Sequence, residues 1–402
     1  MKFDVLIVGG GPAGLSAAFA AAGGGARVAV FEKSKEIGYP IHTSGGSWIS
    51  ELRRLGIPDR FMSPVQEGHF VSANEMAVFK YQEPDGCILD VRGLYQYLGE
   101  EAAAQGAEIF VDSAVVEAVV GDGCLNGLNV RRLGSVELFE APVIIDASGA
   151  SSFVARRMGL TTGFERLGVG AEYDLYAPNW PAGRVAFLFG QRVAPSGYAW
   201  IFPHQGHRVR VGVGMIRPDS NGDPRKYLEQ LLRPDACFGK ELQGASRLEY
   251  HAGVIPSELY LKRTVANNLL VVGDAGGLVS TLLGEGIRFA VEIGRMAGAV
   301  AAEAVTEGRY DDAFLHRFEV RWQRKFKHLF RVGAFINKRL STYSDVEWDE
   351  KVQQLARLDA ALLPALLRGE FSVNVLLQLL RQCPGLVSTA VFSVLRGKFK
   401  IT

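Results

Sequence analysis

Two glycine-rich segments hold the residues of this 402-residue chain whose types and spacing suit chemistry. The first is Gly9-Gly10-Gly11-Pro12-Ala13-Gly14, followed by Glu32 at about the 20-residue interval that a dinucleotide fingerprint requires. In that pattern Gly9 makes a tight turn, Gly11 lets the backbone approach a pyrophosphate, Gly14 lets helix and strand pack closely, and Glu32 accepts from ribose hydroxyls. The second segment lies far downstream, where an apolar strand runs into Gly273-Asp274 and a turn leads to Gly284-Glu285-Gly286-Ile287. Asp274 can accept from a ribityl hydroxyl. The bare amides around 284–287 sit at a helix N-terminus and can face the electron-rich pyrimidine edge of an isoalloxazine. A nicotinamide enzyme has no use for the second element, so the pair points to FAD.

The elements that must position these residues follow from the pattern around them. Residues 3–8 form an apolar strand, 15–23 a small-residue helix, and 26–31 a second strand ending at Glu32. Asp90-Val91-Arg92 precedes a helix over 94–105 and a strand over 107–111. Arg92 is either a diphosphate or ribityl partner or a solvated helix-start arginine. A strand at 143–146 closes the set at the turn Ala147-Ser148-Gly149-Ala150, which has a structural reading as well as a ligand-binding one.

Because the two flavin elements lie so far apart, the cofactor domain must be discontinuous. We expect an α/β chain: a Rossmann-like FAD-binding domain from residues 1–50, 89–160 and 267–305, an antiparallel β-sheet substrate domain from 51–88 and 161–266, and a helical region over 306–402. Residues 70–89 alternate and contain Pro84-Asp85-Gly86, a hairpin signal. Phe314, Phe318, Trp322 and Phe326 recur at helical spacing.

Composition narrows the function classes. With 48% hydrophobic residues and a net charge of +1, the chain can bury a sizeable core and carries no field to recruit nucleic acid. Cys87, Cys124, Cys237 and Cys383 are far apart, no CxxC pair occurs, and no leader precedes the first strand, which suits a reduced cytoplasmic setting. No window offers the roughly 18 uninterrupted apolar residues that span a bilayer. His204 and His207 are the closest histidine pair and lack further ligands, so no metal is expected. The apolar segment over 371–400 finishes with Arg396, Lys398 and Lys400. It either packs against the rest of the chain or lies peripherally on the inner face of a membrane.

Taken together, these residues resemble the geranylgeranyl reductase family, FAD-dependent reductases within the class typified by aromatic hydroxylases. Four segments carry the resemblance: the fingerprint with Glu32; Gly38-Tyr39-Pro40 leading to Thr43-Ser44-Gly45-Gly46; Pro195-Ser196-Gly197-Tyr198-Ala199-Trp200-Ile201-Phe202-Pro203 followed by Val211-Gly212-Val213-Gly214; and the stretch from Gly273 through Ile287. The third is the discriminating one. The resemblance implies reduction of isolated double bonds in prenyl chains of lipids, quinones or chlorophyll precursors. It implies FAD contacts at Ala13, Glu32, Thr43, Ser44, Gly46, Arg92, Val115, Asp274, Gly286 and Ile287. It also implies a substrate cavity bounded by Thr43, Tyr198 and Trp200.

Alternating Tyr198, Trp200 and Phe202 are equally read as ordinary sheet core. The family often carries Cys in a P-x-x-C-G segment where this chain has Thr43, and Pro where it has Thr281. A threonine hydroxyl is far less acidic than a thiol and a poor proton donor. Electrons would come from NAD(P)H or from a ferredoxin-type redox partner. The rivals on the same fold are a flavin monooxygenase or halogenase and a non-redox prenyl or carotenoid flavoprotein.

Overall fold

The apolar run that opens the chain becomes strand Val5–Val8, buried along its whole length. Both of its faces are covered, so the sequence reads as continuous rather than alternating. The computed structural model describes residues 1–370 and 372–385. Val5 and Ile7 pack toward helix Pro12–Gly23 and the C-terminal helices, whereas Leu6 and Val8 pack toward Leu128 and Phe139 of a three-stranded antiparallel sheet. Val5–Val8 lies between Val28–Phe31 and Val143–Asp146, parallel to both. Glu108–Phe110 and Leu269–Val271 extend the parallel set outward, and Val265–Ala266 adds a short antiparallel edge. This is the expected Rossmann-like α/β layer.

Helix Ile287–Glu307 crosses helix Pro12–Gly23 backbone to backbone. A Cβ added at Gly294 would come within 2.3 Å of the Ala13 carbonyl oxygen, and one at Gly298 within 2.1 Å of the Ala17 oxygen. The small residues of both helices are therefore needed for the approach that brings the two flavin elements together. Helix Asp312–Leu340, capped by the Asp311 carboxylate on Phe314 N, covers this pair with buried Phe314, Phe318, Trp322, Phe326 and Phe330. No helix among the described residues is long and apolar enough to cross a membrane.

The second large sheet runs in the order Ser246–Pro256, Leu167–Tyr176, Arg208–Arg217, Gly197–Pro203, Arg184–Phe189, Glu67–Val71, Met76–Lys80. It is antiparallel except that Arg184–Phe189 and Glu67–Val71 run parallel. The hairpin expected at Pro84-Asp85-Gly86 forms elsewhere: Glu67–Val71 pairs with Met76–Lys80 and Ser72 N donates to Glu75 O at 2.9 Å. Asp85 is instead committed to Ser50, accepting from its N at 2.8 Å and its Oγ at 3.0 Å. That fixes Gly86–Leu89 in a separate small sheet with Gly46–Trp48 and Met62–Pro64. This small sheet ties the Thr43-to-Gly46 segment to the large one. Helix Val373–Gln382 follows, and the basic finish expected at Arg396 to Lys400 lies outside the described residues.

Candidate active site

Between the two large sheets lies a cavity of about 370 Å³. Its cofactor end is built by the fingerprint. Gly9 has φ +109°, and a Cβ there would meet the Ala147 oxygen at 2.3 Å; a Cβ at Gly14 would meet the Gly9 oxygen at 2.0 Å. Both glycines are required by the protein's own packing. Gly11 differs: it is extended, φ −81°, and a Cβ on it would meet no protein atom within 4 Å. Its bare backbone faces the cavity at the start of a helix, the cradle a pyrophosphate needs, so these residues fit FAD.

Glu32, the expected ribose partner, ends its strand with its carboxylate accepting from Gly10 N and Ser34 N, both at 2.8 Å, and is not among the residues that line the cavity. Ser113 N donates to Glu32 O at 2.8 Å, which sets Val115, the next-but-one residue, beside that strand end and away from the cavity lining. Arg92 stands exposed near the Gly38 turn, its Nε donating to Glu36 at 2.6 Å and its guanidinium 5.8 Å from the Tyr39 ring centre. Ala13, Thr43, Ser44, Gly149, Asp274, Gly284, Gly286 and Ile287 all line the cavity, whereas Gly46 sits just behind it in strand Gly46–Trp48.

The second flavin element is held by a buried acid. Ser280 and Glu285 exchange backbone hydrogen bonds at 3.0 and 3.1 Å across a turn in which Gly284 takes φ +69°. The Glu285 carboxylate accepts from Arg288 Nε at 2.8 Å, Ser47 Oγ at 3.2 Å and Trp48 Nε1 at 3.3 Å. Gly286 then caps helix Ile287–Glu307, aiming free amides into the cavity.

Burial pushes the Asp274 carboxyl up to about 6. A carboxyl raised this way contributes stability below its ordinary value near 4, and that contribution is lost as pH rises through about 6. Above that it costs the flavin-free protein up to about 3 kcal/mol. Asp274→Asn is expected to raise the melting temperature of flavin-free protein at about pH 8, to leave it unchanged at about pH 4, and to weaken FAD binding. Equal melting shifts at both pH values would contradict this origin.

The substrate end is a floor of glycines. Gly253, Gly170 and Gly214 stand side by side across three strands, with Tyr198 next in the row. The adjacent row is His251, Glu172, Gly212 and Trp200. A Cβ at Gly212 would lie 2.3 Å from the Trp200 ring, and one at Gly214 3.2 Å from it. The Gly-x-Gly spacing thus lets the indole lie flat on the sheet. Trp200 and Tyr198 line the cavity; Phe202 does not. Phe202 turns to the core with Val65, Ile88 and Val185, so the one-sided aromatic stripe is cavity wall for two residues and sheet core for the third. The Tyr198 hydroxyl donates to the Leu283 carbonyl at 2.5 Å, and burial raises its pKa, which makes it an anchor for the Gly284 turn rather than an acid.

Three residues that sequence reasoning missed complete the site. Arg210, 1% exposed, donates from Nη1 to Ser44 O at 2.8 Å and Leu89 O at 3.0 Å, and so holds the Thr43-Ser44 segment over the sheet. Its charge is balanced by Asp174, 3.5 Å away. The signal was Arg210 set between Val209 and Val211, shortly before Gly212. Glu172 and His251, 3% and 4% exposed, line the cavity beside Trp200. Nothing in either residue's local sequence marks it. Among the described residues, no group of three or more His, Cys, Asp or Glu could hold a metal ion.

Fold and site together define a flavin-dependent oxidoreductase. Residues 4–165 match a family model described as FAD dependent oxidoreductase, and residues 169–254 match one described as geranylgeranyl reductase catalytic domain. The chain is 35% identical over 367 residues to Digeranylgeranylglycerophospholipid reductase 2 of Methanothermobacter thermautotrophicus, covering 89% of this chain and 93% of the relative. It belongs to the geranylgeranyl reductase family.

Two solved structures share the fold. A geranylgeranyl bacteriochlorophyll reductase-like protein from Thermoplasma acidophilum superposes with TM-score 0.86 at 22% identity, covering 97% of this chain and 99% of that one. A flavin-dependent brominase superposes with TM-score 0.71 at 16% identity, covering 98% and 100%.

Proposed function

We propose that the protein saturates isolated carbon–carbon double bonds in the geranylgeranyl chains of a glycerophospholipid. The observation that carries this reading is one continuous cavity whose cofactor end, at Gly11, Asp274 and Gly284, opens directly onto the glycine floor and the Trp200 indole. FAD held there, by residues such as Gly11, Asp274 and the Gly284 turn, would supply two electrons as hydride to one alkene carbon. The chain's own part is positioning and water exclusion: the Trp200 indole, seated on Gly212 and Gly214, is the apolar face against which an alkene would lie.

The head group assignment rests on the relatives' named substrate. Electrons would arrive from NAD(P)H or from a ferredoxin-type partner, since the sequence carries a single dinucleotide fingerprint. A peripheral approach to the inner membrane face is supported by Leu377 and Leu380, exposed at 50% and 38% on the last described helix.

The brominase likeness calls for a test that separates the two chemistries. Reduced protein is offered a geranylgeranyl lipid under argon, and in parallel oxygen with halide. Flavin reoxidation by lipid without oxygen supports the proposal; oxygen-dependent formation of a hydroxylated or halogenated product would overturn it.

A further inference from the structure

Saturating an alkene requires a proton as well as a hydride, and the residue at the position where an acidic thiol is often found is Thr43. One wall of the cavity carries an alternative. Glu172 Oε1 lies 2.9 Å from His251 Nδ1, and His251 Nε2 lies 3.1 Å from Glu249 Oε2. Glu172 and His251 are buried and line the cavity, whereas the Glu249 side chain is 36% exposed. The three therefore form a continuous line of ionisable groups from solvent to the substrate end. Trp200 Nε1 donates to Glu172 Oε2 at 3.0 Å, which fixes the carboxylate beside the indole.

We propose that Glu249, His251 and Glu172 form the proton relay of this active site, with Glu172 as the group that protonates the alkene. The inference rests on the prenyl-reductase reading above. In the step, one alkene carbon takes the hydride and the π-electron pair forms a C–H bond at the other carbon with the proton of the Glu172 carboxyl. The two electrons of that hydride would be given up by reduced FAD, which is the reductant of the step. Glu172 takes its proton from His251 Nδ1, which leaves the imidazole with its Nε2 proton alone; the ring then turns over to present that N–H to Glu172, and the nitrogen freed toward Glu249 takes a proton from solvent by way of that carboxylate. One hydride and one proton are consumed per double bond.

The groups facing His251 bear on its charge. Burial lowers its pKa, but hydrogen bonds to Glu172 and Glu249 outweigh this and hold it above the ordinary histidine value. Arg210, two strands away in the sheet, acts in the opposite sense, and Arg208 reaches the ring only through Glu249, 3.0 Å away. His42 touches the same strand one residue on, its Nδ1 lying 2.9 Å from Ala252 O. An imidazole between two carboxylates has both nitrogens placed to donate, the state a relay needs at neutral pH.

The test uses the FAD-loaded protein and two readouts. In ¹⁵N-histidine NMR near neutral pH, His251 is expected to carry protons on both nitrogens, with the charged form lost at lower pH in Glu172→Gln and Glu249→Gln. In anaerobic single-turnover reduction of a digeranylgeranyl glycerophospholipid by dithionite-reduced protein, Glu172→Gln and His251→Gln are expected to slow lipid saturation by about 100-fold or more at unchanged FAD content. Imidazole should restore part of the rate to His251→Gly.

Variants that saturate the lipid at the wild-type rate, or a His251 that stays neutral in the NMR spectra, would overturn the relay. If His251→Gln does not fold, Glu172→Gln and the wild-type spectra decide. Wild-type protein that saturates no prenyl lipid would instead overturn the functional reading underneath.

Discussion

Gly11→Val protein is expected to purify colourless yet folded. Gly11 is extended, and a side chain there meets no protein atom within 4 Å, so valine is sterically acceptable to the chain itself. The same side chain fills the space over the backbone that a pyrophosphate must occupy, and FAD should be lost at any practical concentration. The stability of the flavin-free protein should change by less than about 1 kcal/mol, as for a substitution that removes no contact. Gly14→Val is the contrasting control, because its Cβ would lie 2.0 Å from the Gly9 oxygen and the fold itself should fail. Full FAD occupancy in Gly11→Val, measured by flavin absorbance, would contradict the placement of the cofactor.

Trp200→Ala has the second largest expected effect. The indole lies flat on Gly212 and Gly214, touches Tyr198 at 5.7 Å between ring centres, and holds Glu172. Its removal empties the cavity wall and should cost about 3–5 kcal/mol of stability. Trp200→Phe, which keeps most of the ring but loses the N–H to Glu172, guards against simple unfolding. For both variants the rate of lipid saturation in a single turnover should fall, by about 100-fold for alanine, since an alkene displaced by about 1 Å reacts that much more slowly. FAD content should stay intact in Trp200→Phe, because the residues expected to hold the cofactor, Glu32, Asp274 and the Gly284 turn, are left in place. Undiminished saturation by both variants would return the indole to the role of sheet core.

The parts of this molecule legible in the sequence are those whose requirements are local. Gly9, Gly11 and Gly14 are dictated by one turn, and Asp274 and Gly284 by another, so their types and spacing carry the information. The aromatic strand was half legible. Alternation places Tyr198, Trp200 and Phe202 on one side, but where the cavity ends depends on the small sheet of Gly46–Trp48, Gly86–Leu89 and Met62–Pro64 beneath Phe202. The Pro84-Asp85-Gly86 turn was misread because Asp85 is claimed by Ser50, a partner distant in sequence. Glu172 and His251 are separated by 79 positions and meet only through the register of two antiparallel strands. No local pattern encodes such a pairing.

The central claim is that this cavity saturates a prenyl double bond with electrons from FAD. It is tested most directly by mixing dithionite-reduced, dithionite-free protein with digeranylgeranyl glycerophospholipid under strict anaerobiosis and following lipid mass alongside flavin absorbance. The account predicts that lipid gains the mass of two hydrogens for each flavin oxidised. Flavin that stays reduced, or that is oxidised with the lipid mass unchanged, would contradict it.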